Sequence, residues 1–249
     1  MVELRDDLRL ALDRVEFARA VGIEPDDWQR DALRSAAPRQ LYNCARQTGK
    51  STVSAILATH TAIYEPGVLV LLISPTLRQS GELFRKCLEV YRAAQRLVPP
   101  DSETALTLAL ENGSRIVSLP GGKGHTIRGY SGVRLLVVDE ASRVPDDLYI
   151  SIRPFLATSA GRLVALSTPF GTRGWWWGGL EERRAVGEVH GDRGAEPAHP
   201  RGLSRRGAPQ HGRVVFPPGV LRRVPRRSVL RLPWRRHRRS HKRRCAAFV

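Results

Sequence analysis

A short stretch near residue 50 has the residue types and spacing that hold phosphate: Cys44-Ala45-Arg46-Gln47-Thr48-Gly49-Lys50-Ser51. It matches G-x-x-x-x-G-K-[ST] except that Cys44 stands at the first glycine position. The segment 40–44 before it reads as a strand, and good helix formers run from Gly49 to Tyr64. In such a strand–loop–helix, the free N–H groups at the helix start cradle phosphate oxygens. Lys50 would neutralise β- and γ-phosphate charge, and the Ser51 hydroxyl would ligate Mg²⁺. Gln47, Thr48, Gly49 and Thr52 share that turn and would line the nucleotide. A cysteine at the first glycine position is compatible only with a negative φ there.

A second group lies further along. The apolar residues Leu135-Leu136-Val137-Val138 deliver two acids, Asp139 and Glu140, to the end of a buried strand. That is where α/β sheets carry their sites. Asp139 would hold the metal shell, and Glu140 would orient and deprotonate an attacking water. In isolation such a pair often caps a helix or faces solvent. After a phosphate loop, the same pair reads as the second half of an ATP-hydrolysing site.

The elements that must position these groups alternate. Residues 3–21 read as one amphipathic helix, with Leu8, Leu12, Val15 and Ala18 on one face. Helices are expected over 28–35, 49–64, 76–97 and 146–156. Strands are expected over 40–44, 68–74, 133–138 and 162–167, with a hairpin at 105–110 and 115–119. This order predicts an α/β, three-layer sandwich with a mostly parallel sheet. The sequence divides into residues 1–176, the ordered domain, and residues 177–249, an Arg- and Pro-rich tail without periodicity and without an expected fold.

Charge divides the chain in the same way. The net charge is +17. Residues 1–172 hold 21 Lys and Arg against 19 Asp and Glu, whereas residues 173–249 hold 20 against 5. No apolar run is long enough to span a bilayer, and the N-terminus lacks a secretory pattern. Cys44, Cys87 and Cys245 follow no metal spacing, which leads us to expect reduced thiols in a cytosolic setting. His60 and His125 have no partner spacing and read as non-catalytic.

Taken together, the motifs resemble those of bacteriophage terminase large subunits. The stretch from Ala45 to Ser51 is similar to that family's deviant phosphate loop, in which an Arg, here Arg46, sits early. Trp28-Gln29 resembles its adenine-reading motif. Ser74-Pro75-Thr76 with Gln79, and Thr126-Ile127-Arg128-Gly129, resemble family segments around the second strand and before the acid pair. Leu166-Ser167-Thr168-Pro169 resembles the motif that couples the γ-phosphate to domain movement. The likeness runs over residues 13–176. It implies a P-loop NTPase (RecA/ASCE-like) fold, ATP and Mg²⁺ as cofactors, and catalytic roles for Glu140, Lys50 and Arg46. It implies adenine contact by Gln29, metal ligation by Ser51 and Asp139, and coupling by Ser167 and Thr168. Arg128 would be structural or a DNA contact. The implied partners are double-stranded DNA, a small terminase subunit, a portal protein and copies of the chain in a ring.

The family normally adds a nuclease with a carboxylate cluster, and the five acids of residues 173–249 do not form one, so no nuclease activity is expected. Two other functions share some of these features. A superfamily 2 helicase would need a second RecA-like domain. A basic nucleic-acid-binding protein would act through its tail.

The tail itself reads as an out-of-frame translation of the family sequence. Back-translated with GC-rich codons and shifted by one nucleotide, residues 215–225 can spell the Gln-Glu-Tyr segment found after the motor. Residues 177–190 and 235–241 yield acidic, amphipathic readings in the same frame.

Overall fold

The computed structural model describes residues 2–121, 129–157, 159–171, 174–188 and 245–248. The expected tail beyond Glu188, apart from the last short strand, and the residues His125 to Arg128 lie outside them. The elements, in chain order, are α1 (Val2–Leu12), α2 (Arg14–Ala20), α3 (Asp27–Arg34), β1 (Arg39–Cys44), α4 (Lys50–Tyr64), β2 (Leu69–Ser74) and α5 (Leu77–Ala93). There follow β3 (Pro100–Glu103), β4 (Thr107–Leu110), β5 (Arg115–Pro120), β6 (Val133–Asp139), α6 (Asp146–Ala157), β7 (Arg162–Ser167), α7 (Gly174–Glu188) and β8 (Cys245–Phe248).

One sheet carries the strands in the order β3-β4-β5-β2-β6-β7-β1-β8. Its centre, β5-β2-β6-β7-β1, is parallel, and both flanks are antiparallel. β2 is buried along its whole length, and β6 nearly so, because helices cover both faces. This is why their sequences are continuous apolar runs rather than alternating ones. One core packs α2, α3, α4 and α5 onto the sheet through Phe17, Leu33, Ile56, Phe84 and Val137. The other packs α6 and α7 onto the opposite face through Ile152, Trp175, Trp176, Leu71 and Val138. These are the three layers expected from the alternating pattern.

Several boundaries differ from the expected ones, each for a local reason. The expected single helix over 3–21 is two. Asp13 leaves helical geometry and its side chain accepts from Val15 N, capping α2. Of the expected apolar face, Val15 and Ala18 are buried, whereas Leu8 and Leu12 are exposed. α5 ends at Ala93, and Gln95 and Arg96 then adopt left-handed φ of 54°. The ordered chain also continues past the expected boundary at residue 176. α7 runs to Glu188, with Trp175 stacked on Tyr149 at 3.9 Å and its indole Nε1–H donating to Val144 O at 3.0 Å.

Candidate active site

The phosphate loop sits where the motif requires, between the end of β1 and the start of α4. Cys44 keeps strand geometry as the last residue of β1. The left-handed positions fall instead at Gln47 (φ 59°) and Gly49 (φ 85°). The loop therefore turns without a first glycine. The positive φ at Gly49 favours glycine, and a Cβ there would also press on the Gln29 amide. Cys44 is disulfide-bonded, where a reduced thiol was expected. Cys245 of β8 lies opposite it in the register, and Cys87 is a free, buried thiol.

Within the loop, Thr48 Oγ1 donates to Ala45 O at 3.0 Å and Lys50 Nζ to the same carbonyl at 3.2 Å. Lys50 and Thr48 are buried, and Ser51 and Thr52 are half-buried in the first turn of α4. Arg46 is exposed. Gln29 is buried, and both ends of its amide are engaged. Nε2 donates to Thr48 O at 2.9 Å, and Oε1 accepts from Asp26 N at 3.1 Å, closing the capping box of α3. Gln29 thus braces the loop from behind. Its neighbour Trp28 packs its ring on Tyr42 in the core.

Asp139 is the last residue of β6, beside Leu166 of β7. Glu140 follows in a left-handed conformation (φ 47°, ψ 44°), which turns its side chain out of the strand direction. Burial, and then the neighbouring Glu140 carboxylate, push the Asp139 carboxyl up to about 6. The Glu140 backbone N–H and the Lys50 and Lys86 ammonium groups act in the opposite direction. Asp139 Oδ1 is buried without a hydrogen-bond partner. Such an atom is costly unless something binds it. A hard cation with oxygen ligands, shared with the Ser51 hydroxyl, fits that need.

The hydroxyls at the end of β7 reach the acid pair. Thr168 Oγ1 donates to Glu140 Oε2 at 3.3 Å. Ser167 Oγ accepts from Ser142 N at 3.1 Å and shares a hydrogen bond with Ser142 Oγ at 2.6 Å, while Ser142 Oγ also donates to Thr168 O at 3.2 Å. Sequence reasoning singled out Ser167 and Thr168 but missed Ser142, which ties the two strand ends together. Its position directly after Glu140-Ala141 was the available signal.

Ser51, Asp139 and Glu140 line one polar cavity of about 410 Å³ with Gln79, Glu82, Leu83, Arg85, Lys86 and Glu89 of α5. Thr76 is the N-cap of α5, accepting from Gln79 N at 3.3 Å. The segment Ser74-Pro75-Thr76 thereby sets where α5 begins. Of the Thr126-to-Gly129 segment only Gly129 is described, with φ 123°; Arg128 lies outside the described residues.

No protein-family model matches the sequence, and no curated protein matches it. Solved structures do. The large terminase ATPase domain of Thermus phage P74-26 matches with a TM-score of 0.60 at 24% identity, over 73% of this chain and 76% of that one. The HK97 bacteriophage large terminase matches with a TM-score of 0.55 at 16% identity, over 68% of this chain and 38% of that one. The loop before α4, the acid pair and the hydroxyls of Ser167 and Thr168 at the end of β7 thus stand on a P-loop NTPase fold shared with phage large-terminase ATPase domains.

Proposed function

We propose that this chain is the ATPase motor domain of a bacteriophage terminase large subunit, hydrolysing ATP to drive double-stranded DNA into a procapsid. The observation that carries this is the convergence of Ser51, Asp139 and Glu140 on one cavity, with Thr168 bonded to Glu140. A structural acid pair at a strand end would need none of these neighbours.

The chain's own groups divide the work. Backbone N–H groups from Gln47 to Thr52 bind phosphate oxygens at the start of α4. Lys50 leaves the Ala45 carbonyl to neutralise β/γ charge. Ser51 and Asp139 hold Mg²⁺, which supplies charge neutralisation and alignment of the phosphates. Glu140 orients the attacking water and accepts its proton, while Thr168 fixes the carboxylate and relays its state to β7. Arg46, exposed on the loop, is free to meet the terminal phosphate. Gln29 acts on the nucleotide through the loop that it braces.

From the resemblance of the motifs to that family, the partners are DNA, a small terminase subunit, a portal protein and copies of the chain in a ring, at work in the host cytoplasm. Among the described residues no helix is long and apolar enough to cross a membrane. The basic segment from about Trp177 onward we assign to an out-of-frame reading. A coding sequence whose shifted frame is closed by stop codons overturns that assignment.

The decisive experiment compares variants of the full chain. Lys50→Ala should abolish ATP binding and turnover. Glu140→Gln should bind ATP and lose turnover by about a thousandfold. Normal hydrolysis by the Lys50 variant would show that the site is wrongly assigned.

A further inference from the structure

α5 contributes one wall of the cavity, and none of its side chains belongs to the motifs that carry the proposed chemistry, apart from Gln79 beside its cap. Gln79, Glu82, Leu83 and Lys86 recur at helical spacing and face the cavity together. The opposite wall is Ser51, Asp139 and Glu140; Gln29 and the loop residues 45–49 do not line it. Under the proposed function this is the metal and terminal-phosphate end of the site, away from the loop that would hold the inner phosphates.

The charges on that wall are Glu82, Arg85, Lys86 and Glu89. Arg85 is exposed and paired with Glu82 at 3.2 Å, so those two largely cancel. Glu89 is exposed, whereas Lys86 is half-buried. Among the described residues Lys86 forms no ion pair. It lines the same cavity as Asp139. An ammonium held partly out of water, without an ion pair among the described residues and lining the same cavity as the Asp139 carboxylate, is placed for an anion that enters between them.

We propose that Lys86 binds the terminal phosphate of the metal–nucleoside triphosphate, as a second cation opposite Lys50. This rests on the proposal that the chain hydrolyses ATP. Lys50 reaches the phosphates from the loop side and Lys86 from the α5 side, so a triphosphate is clamped between two helices. A diphosphate ends short of Lys86. The residue thus distinguishes substrate from product and strengthens its hold as charge on the transferred phosphoryl group grows.

The test measures binding of ATP and ADP with Mg²⁺, and ATP turnover, in the full chain. Lys86→Met keeps the length of the stem and removes the charge. It should weaken ATP binding about tenfold while changing ADP binding less than about twofold. Turnover should fall by at least the same factor, and Lys86→Arg should recover much of both. Equal losses for ATP and ADP would reduce Lys86 to a structural role, and unchanged ATP binding and turnover would exclude it from the site. The Lys50→Ala variant serves as the control. If it binds and hydrolyses ATP like the unaltered chain, the ATPase assignment has failed. If only Lys86→Met is silent, the failure is that of Lys86 alone.

Discussion

Thr168 Oγ1 lies 3.3 Å from Glu140 Oε2, so a hydroxyl after β7 holds the acid that follows β6. The two segments are 28 residues apart in sequence and become neighbours because β6 and β7 pair in parallel. A hydrogen bond to a charged carboxylate contributes more than one between neutral groups. Thr168→Ala should therefore lower ATP turnover about tenfold and leave ATP affinity unchanged. Thr168→Ser should retain most of the activity. Steady-state kinetics beside equilibrium nucleotide binding gives the answer. A loss of affinity without loss of turnover would remove Thr168 from the water-activating group.

Gln29 should matter for the loop rather than for the base. Gln29→Ala removes the partner of a buried carbonyl and one arm of the α3 capping box, at a cost of about 1–2 kcal/mol in folding stability. Nucleotide affinity should fall for ATP and GTP alike. Denaturant titration and paired ATP and GTP binding would test both parts. A loss confined to ATP would restore an adenine-reading role to Gln29.

Metal binding should depend steeply on acidity. The Asp139 carboxyl is raised from its ordinary 3.8 to about 6, so below pH 6 it carries a proton that the cation must displace. Apparent Mg²⁺ affinity should fall about tenfold per pH unit between 6 and 4, and Asp139→Asn should flatten the profile. Hydrolysis followed at several Mg²⁺ concentrations between pH 5 and 8 would reveal it. A Mg²⁺ requirement independent of pH would contradict the assignment of Asp139.

His60 should make the fold sensitive to acid. It is buried between Phe17 and Tyr64, with Nε2 3.0 Å from Leu10 O. Burial, together with the nearby Arg14, lowers it from 6.5 to about 4. The unfolded chain then takes up a proton below pH 6.5 that the folded chain refuses until about pH 4. Stability is lost across that window, by about 3 kcal/mol in full. Asp139, with a raised folded value, works in the opposite sense between 6 and 3.8. The readout is therefore the difference in pH dependence between the unaltered chain and His60→Gln, from urea unfolding at pH 7.5 and 5. Parallel pH profiles would refute the prediction.

The parts of the site that were legible in sequence are those whose chemistry is local. Lys50 and Ser51 are set by a loop of fixed length, and Asp139 and Glu140 by the apolar strand that leads into them. Ser142 and Lys86 were not legible. Ser142 bonds Ser167 on a neighbouring strand, and Lys86 lines the cavity from a helix whose spacing shows a buried face but not what its other face meets. The engagement of both ends of the Gln29 amide is equally a product of packing, since Thr48 and Asp26 approach it from different elements. At the level of fold, the buried strands read clearly from Leu69–Ser74 and Val133–Asp139. The break at Asp13 did not, because the apolar spacing continues through it. α7 was obscured by the change in composition after residue 172, although Trp175, Trp176 and Leu180 bury a face of it.

The backbone at Glu140 has an evolutionary consequence. A side chain held in the left-handed region costs about 1–2 kcal/mol, and glycine occupies it freely. The turn after β6 is therefore a glycine position occupied by an acid, kept there against the preference of the fold. Glu140→Gly should raise the melting temperature while ending turnover. Under the function proposed above, a copy of this gene released from selection for turnover has a downhill path open at this codon, so inactive descendants of the domain should lose Glu140 before they lose the residues of the core.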